Sequence, residues 1–355
     1  MSRKSRYNHY HIQILFECGK KQPILGNSSI NYLNNNRNLD TLIIFTDEIY
    51  LISSRSKIYS GEDILHNSTN SISKQILKAL VYYYSHANNK IKEVIITRKT
   101  AKIVEVISHK ESTEIKQPLE QFIYPTRILI SSKIEIILQE TEKGNAILNS
   151  LSYYLRGISS TEKFYKFERF WRSLNSIFRF HSNSDSDFEG IRKLRELIIQ
   201  NQDLFPETIN LINQYSLDSL RNTFRWRGLI LNDFPTSSHT KSFSEFVKRY
   251  SDKRIMELLL MTLPYRKDFL VSQGYYTDVL SHINNNISNN TRNDGELVAL
   301  IALKYTYFVR NKIFHGEIPE SAFKFVDTKE EDEIKNLNQI LESLNKELIN
   351  NNDVL

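Results

Sequence analysis

The residues of this chain best equipped for chemistry are Arg310, Asn311 and His315, in the run Phe308-Val309-Arg310-Asn311-Lys312-Ile313-Phe314-His315-Gly316. An imidazole changes charge near neutral pH and moves protons as a general acid or base. A guanidinium is a planar, permanently charged fork that matches the oxygens of an anion and stabilises charge developing on them. Asn311 can orient either partner by hydrogen bonds, and Lys312 adds a second cation. Spacing alone does not single these residues out, because Arg6 and His11 repeat the Arg-x4-His pattern. The second copy differs in closing a long helical pattern. Gly316 suits the position after a helix end, where positive φ is cheap, and Pro319 cannot continue a helix. His315 is therefore expected in the last turn or just past it. Five residues of a regular helix turn about 140° net. Arg310 and His315 then point apart, and a working pair needs a loosened helix end or a residue from a second copy.

The elements that must position this set fall into two halves. From about residue 145 the apolar pattern has a 3.6-residue period. TEKFYKFERFWRSLNSIFRF (161–180) puts Phe164, Phe167, Trp171, Leu174 and Phe178 on one stripe. Helical patterns continue over 188–200, 206–226 and 242–261, and over 293–315 with Asp294 as expected N-cap. Residues 330–348 repeat Ile334, Leu337, Leu341, Leu344 and Leu348, which reads as a helix packed on its own domain or as a short dimer seam. Before about residue 140 the texture is mixed. TLIIFTDEIYLISS (41–54), KEVIITRKTAKIVEVISHK (92–110) and RILISSKIEIILQE (127–140) are rich in strand-forming residues. The second reads as two strands about a turn near Lys99 and Thr100. SISKQILKALVYYYSH (71–86) is a helix, with Ser73 as expected N-cap and Ile76, Leu77, Leu80 and Tyr84 at helical spacing. Asn-rich tracts at 34–36, 284–290 and 350–352, with NSDSD at 183–187, read as loops. The expected class is α+β in two domains: 1–142 mixed α/β with β-hairpins, and 145–350 an all-α bundle.

The segment 308–316 resembles the signature of the HEPN superfamily, whose ribonuclease members carry Arg-x4-6-His, often with Asn after the Arg. KFYKFERFWRSLNSIF (163–178) is similar to the aromatic helix near the start of bacterial HEPN domains of the Apea-like type. The likeness covers about 150–350. One departure is Leu174-Asn175, where related sequences tend to carry Leu-Glu; Glu168 or Glu296 would then have to supply an acidic group. The resemblance implies an endoribonuclease with Arg310, His315 and Asn311 as catalytic residues and Lys312 on the RNA backbone. RNA brings its own nucleophile, the 2′-OH, so the chemistry implied needs no metal or cofactor and leaves a 2′,3′-cyclic phosphate. A composite site in a homodimer is implied as well. So is a role as a toxin or antiviral defence effector, acting on RNA such as tRNA and controlled by an antitoxin, a trigger protein or a small-molecule activator. The N-terminal domain would sense, bind a partner or position substrate. Two other readings stand beside this one. In the first, residues 41–97 form a Rossmann-like sensor gating a CRISPR-type ancillary ribonuclease by a cyclic oligonucleotide. In the second, the helical domain binds RNA or protein without catalysis.

Further candidates are weaker. RNTFRWRG (221–228) interleaves Arg225 and Arg227 with Phe224 and Trp226, which reads as RNA binding or as an amphipathic helix with its rings in the core. His9 and His11 would point the same way along a strand but lack a third metal ligand. Cys18, the only cysteine, excludes intrachain disulfides and Cys-based zinc sites. No Walker, GxGxxG or GxSxG pattern occurs. A net charge of +6 permits a polyanionic partner without requiring one. No apolar run reaches the roughly 18 residues of a membrane span, and MSRKSRYNHYH lacks the apolar core of a signal peptide. A cytoplasmic location is the expectation.

Overall fold

Alternation builds the first part of the chain. In strand β1 (Asn8–Phe16) every second residue is buried, and β4 (Glu48–Arg55) and β3 (Leu39–Phe45) repeat the pattern. Such a period of two requires one face packed and one face open. The computed structural model describes residues 8–33, 37–120, 129–316 and 325–355. They form two compact units, Met1–Glu162 with Ile349–Leu355, and Lys163–Leu348.

The first unit is built on a six-stranded sheet. With β2 (Pro23–Asn31), β5 (Ile91–Lys99) and β6 (Val104–Glu111), the strand order is β2-β3-β4-β1-β5-β6. All five pairings are antiparallel. The Rossmann-like reading of 41–97 needs parallel strands, and none pair so among the described residues. The hairpin expected in 92–110 is present, its turn closed by Thr100 N–H donating to Ile103 O at 2.8 Å.

The helix Ser71–Tyr84 covers the buried face, with Phe16 and Tyr83 stacked at 3.8 Å. Its N-cap is Asn70, not Ser73: the Asn70 side chain accepts from Ile72 N–H at 2.8 Å. The buried side is also rotated from the expected stripe. Leu77 is half exposed, while Ala79, Tyr82, Tyr83 and even Lys78 are buried. The tyrosines fill the sheet face and carry their own polar tips, Tyr83 donating to Thr46 O at 2.7 Å. Lys78 is tolerated because Glu140 meets its ammonium at 2.6 Å.

Residues 129–140 are not a strand. They form two short helical turns, Ser131–Ile134 and Glu135–Leu138, burying Ile134, Ile137 and Leu138. The β-branched residues misled because burial at one helix-like spacing outweighs intrinsic strand preference. Residues 127 and 128, Arg6, Asn34–Asn36 and Pro319 lie outside the described residues.

The second unit is helical throughout its described residues. The helix Lys163–Ser182 buries Phe167, Phe170, Trp171, Leu174, Ile177 and Phe178. Asp187–Gln200 crosses it closely at Gly190, where a Cβ would lie 2.2 Å from the Phe178 ring. The long helix Lys329–Asn350 packs on it too, Asn345 Nδ2 donating to Phe170 O at 3.0 Å. Ile334, Leu337, Leu341, Leu344 and Leu348 are at most 1% exposed within the single chain. That stripe packs on its own unit and is not available as a dimer seam. The pattern over 206–226 breaks into Pro206–Asn213, Leu217–Thr223 and the start of Trp226–Asp233, with Ser216 capping the middle piece. The pattern over 242–261 breaks at Arg249–Asp252, where Asp252 caps Lys253–Thr262. Asn284, Asn285 and Asn286 are helical, inside Tyr276–Ser288, rather than loop. Val279 and Ile283 bury that helix's apolar side and hold the asparagines in register.

Candidate functional site

The segment carrying Arg310 is one continuous helical run of three pieces: Asp294–Val298, a π-helical stretch Ala299–Tyr305, and Thr306–Phe314. Its N-cap is Asn293, whose side chain accepts from Glu296 N–H at 3.1 Å; Asp294 is already inside the first turn. Asp294 instead ion-pairs with Arg254 at 2.7 Å. The widened turns are filled by Thr306, whose hydroxyl donates to Ile301 O, five residues back, at 3.1 Å. Tyr305, Thr306, Phe308 and Val309 face the core, with Tyr305 and Val309 fully buried. Lys304, Tyr307, Arg310, Asn311 and Lys312 are half-buried, and Phe314 and His315 are exposed. One side of this helix is thus core and the other a polar, accessible stripe.

On that stripe Arg310 Nη1 donates to Asn311 Oδ1 at 2.9 Å, and its guanidinium lies over the Phe314 ring at 4.5 Å. The Arg310 Nε is buried and has no hydrogen-bond partner among the described residues. His315 is the C-cap; its N–H donates to Asn311 O at 2.9 Å. Gly316 has φ +69°, and its N–H donates to Ile313 O at 3.1 Å. The helix ends where the glycine was expected to end it. Because Thr306–Phe314 is regular α-helix, Arg310 and His315 stay about 140° apart. Asn311 and His315, four apart, share a side instead. Lys312 Nζ sits 5.9 Å from the Phe308 ring.

The other sequence candidates are placed differently. Arg225 Nη2 pairs at 2.7 Å with Glu333 Oε2, a carboxylate 2% exposed. Tyr305 completes that cluster, its hydroxyl donating to Glu333 and accepting from Arg225 N–H at 2.6 Å. Burial pushes the Glu333 carboxyl upward against the pull of Arg225 and Tyr305, and pushes the Tyr305 phenol well up. Phe224 and Trp226 are buried, each 5.1 Å from the Tyr305 ring, and unavailable for base stacking. Arg227 is exposed and stacks over Tyr265 at 4.6 Å. Glu296 accepts from the backbone of Ser251 and Asp252 at 2.7 and 2.9 Å, and Glu168 pairs with Arg172 at 2.6 Å. Both acids therefore have structural partners. His9 and His11 do lie on one face of β1, bonded to Ser54 Oγ at 2.8 Å and Tyr50 OH at 2.7 Å. No group of three metal-ligating side chains occurs among the described residues.

Sequence reading missed a cleft of about 590 Å3 in the helical unit, beside Lys304 and Tyr307, into which Arg195 and Arg249 also open. Its walls come from helices 187–200, 240–248 and the 299–305 stretch, so no local motif could announce it. No family model, curated protein or solved structure matches this chain.

Proposed function

We propose that this chain is an endoribonuclease of the HEPN type, cleaving RNA at a site built from Arg310, Asn311 and His315. The observation that carries the reading is the accessible stripe Tyr307–Arg310–Asn311–His315 at the C-terminal end of a helix, in an all-helical unit, terminated by Gly316 in the left-handed region. In the reaction, His315 removes the proton from a 2′-OH. The freed oxygen attacks the adjacent phosphorus, and the P–O5′ bond breaks. The 5′-oxygen leaves with a proton from a general acid, giving a 2′,3′-cyclic phosphate and a 5′-OH. Arg310 stabilises the charge on the non-bridging oxygens, and Asn311 holds Arg310 in place through its 2.9 Å bond. Lys312 adds attraction for the backbone.

Two protons must move, one off and one on, and a single chain offers one histidine here. The angular separation of Arg310 and His315 points the same way. A homodimer that sets two stripes face to face supplies both a base and an acid, and unites each Arg310 with a partner's imidazole. A toxin or defence role follows from an activity of this kind, since uncontrolled RNA cleavage stops growth.

The test is incubation of the purified chain with total RNA, tRNA and single-stranded DNA in EDTA, beside His315→Ala and Arg310→Ala. RNA cleavage that persists in EDTA, yields cyclic phosphate ends and vanishes in both variants supports the reading. Retention of full activity by His315→Ala, or a strict need for divalent metal, overturns it. Binding without cleavage by the unaltered chain would favour a non-catalytic module.

A further inference from the structure

The 590 Å3 cleft lies within the size range of ligand pockets, about 300–1,000 Å3. Its polar lining is one-sided: Arg192, Arg195, Arg249 and Lys304 face a single acid, Glu245. Two of the cations are already neutralised. Arg192 is held by Glu189 and Glu196 at 2.8 Å each, and Lys304 by Asp233. Arg195 and Arg249 differ, having no carboxylate within salt-bridge distance among the described residues. The Arg195 Nε is buried there without a hydrogen-bond partner. Both line the cleft together with Tyr250, whose hydroxyl burial pushes up to about 12 while the two cations oppose that shift.

A buried guanidinium nitrogen with no partner is an expensive arrangement unless a ligand completes it. Two guanidiniums that line one cleft without a carboxylate partner suit a phosphate, which accepts several forked hydrogen bonds at once. The aromatic content is the second half of the argument. Phe188 lines the cleft yet is 65% exposed, unusual for so large an apolar ring, and Tyr307 is half-buried opposite the helical wall. Rings presented beside phosphate-binding cations are what a nucleobase stacks on. Only two of the cations lack a carboxylate partner among the described residues, and Glu245 stands nearby, so the charge balance fits one phosphate group rather than a triphosphate.

We infer that this cleft binds a nucleotide, its phosphate on Arg195 and Arg249 and its base against Phe188 and Tyr307. The same chemistry arises from a free mononucleotide and from one unit of a single-stranded RNA. Position ties the cleft to the stripe proposed above. Tyr307 lies one turn before Arg310 and Asn311 on the accessible side of the same helix, and Lys304 another turn back. An RNA strand with one nucleotide in the cleft would run along the helix toward His315. That link rests on the ribonuclease reading, whereas nucleotide binding does not.

The experiment uses the full chain and a fluorescein-labelled single-stranded RNA carrying 2′-O-methyl groups, which binds without being cleaved. Affinity is read by anisotropy, with competition by AMP, GMP and UMP. Arg249→Ala, Phe188→Ala and Arg195→Gln are each expected to weaken binding about tenfold, as removal of a charged or stacking contact does. Arg249 and Phe188 are exposed, so those variants fold even where Arg195→Gln does not. Competition by a free nucleotide, abolished in Arg249→Ala, identifies a mononucleotide site. Competition by RNA alone identifies a substrate subsite. Binding of RNA and nucleotides unchanged in both Arg249→Ala and Phe188→Ala overturns the inference. If those variants weaken binding but the unaltered chain never cleaves RNA, the cleft stands and the ribonuclease reading falls. If cleavage is intact with an unchanged KM in both variants, the reverse holds.

Discussion

Two stretches of the helical unit mix cations with aromatic rings, and they use them in opposite ways. In 221–228 the rings turn inward: Phe224 and Trp226 pack with Tyr305, and Trp226 Nε1 donates to Leu220 O at 2.9 Å. Arg225, itself partly exposed, reaches the buried Glu333 and neutralises it. In 304–315 the inward positions are taken by Tyr305, Phe308 and Val309, and the outward ones by Lys304, Tyr307, Arg310 and Asn311. The compositions are alike, so composition does not separate a binding surface from a core with charged trim. What separates them is the angle at which each residue leaves the helix and which carboxylates lie across the core.

The contrast predicts that the largest effects fall on activity in one stretch and on stability in the other. His315→Ala should lower RNA cleavage by at least about a hundredfold, the usual worth of a positioned acid–base group, with thermal unfolding unchanged. Arg310→Ala should behave similarly. An equal loss in Arg225→Ala, corrected for folded protein, would break the distinction between the two stretches.

Trp226→Ala should cost about 3–5 kcal/mol in urea unfolding, as deletion of a large buried ring does. Tyr307→Ala, on the accessible side, should cost less than about 1 kcal/mol. Next in size is Arg225→Ala, expected to lose about 1–3 kcal/mol by leaving the Glu333 carboxylate with Tyr305 alone. The same cluster gives a pH dependence. Burial raises the Glu333 carboxyl, so the folded chain holds that proton more tightly than the unfolded chain does. Stability attributable to this group therefore falls as pH rises from the ordinary glutamate range through the raised value, and the loss is absent below that window. Glu333→Gln should flatten this part of the stability–pH curve; an unaltered slope would remove Glu333 from the account. The smallest effect belongs to Gly316→Ala. Nothing lies within 4 Å of the added Cβ, so only the positive φ matters, for about 1 kcal/mol.

Much of the local structure was legible. The strand-forming residues of 92–110 located a real hairpin, and the 3.6-residue period marked the helices from 163 onward. Gly316 correctly marked a helix end, because a backbone with φ +69° favours the residue without a Cβ. The errors share a cause. KIEIIL at 133–138 alternates as a strand would, yet packs as helical turns because Ile134, Ile137 and Leu138 meet the core together. Leu77 looked buried but is half exposed, and the helix instead turns Lys78 inward, where a distant Glu140 meets its ammonium. Asn284–Asn286 looked like loop, but Val279 and Ile283 carry the helix through them. Of the candidate site, Arg310, Asn311 and His315 were legible as a set. The cleft was not, since Arg195, Arg249 and Tyr307 come from separate elements.

By itself the sequence determined what neighbours along the chain decide: periods of two and of 3.6, and the glycine that ends the helix at His315. These rest on steric limits and hydrogen bonds spanning a few residues. Only the tertiary structure decided that Arg225 answers a buried carboxylate at position 333, that Tyr307 faces outward, and that two arginines without a carboxylate partner share a cleft. Those outcomes depend on which faces pack against each other, and packing joins residues that no local spacing relates.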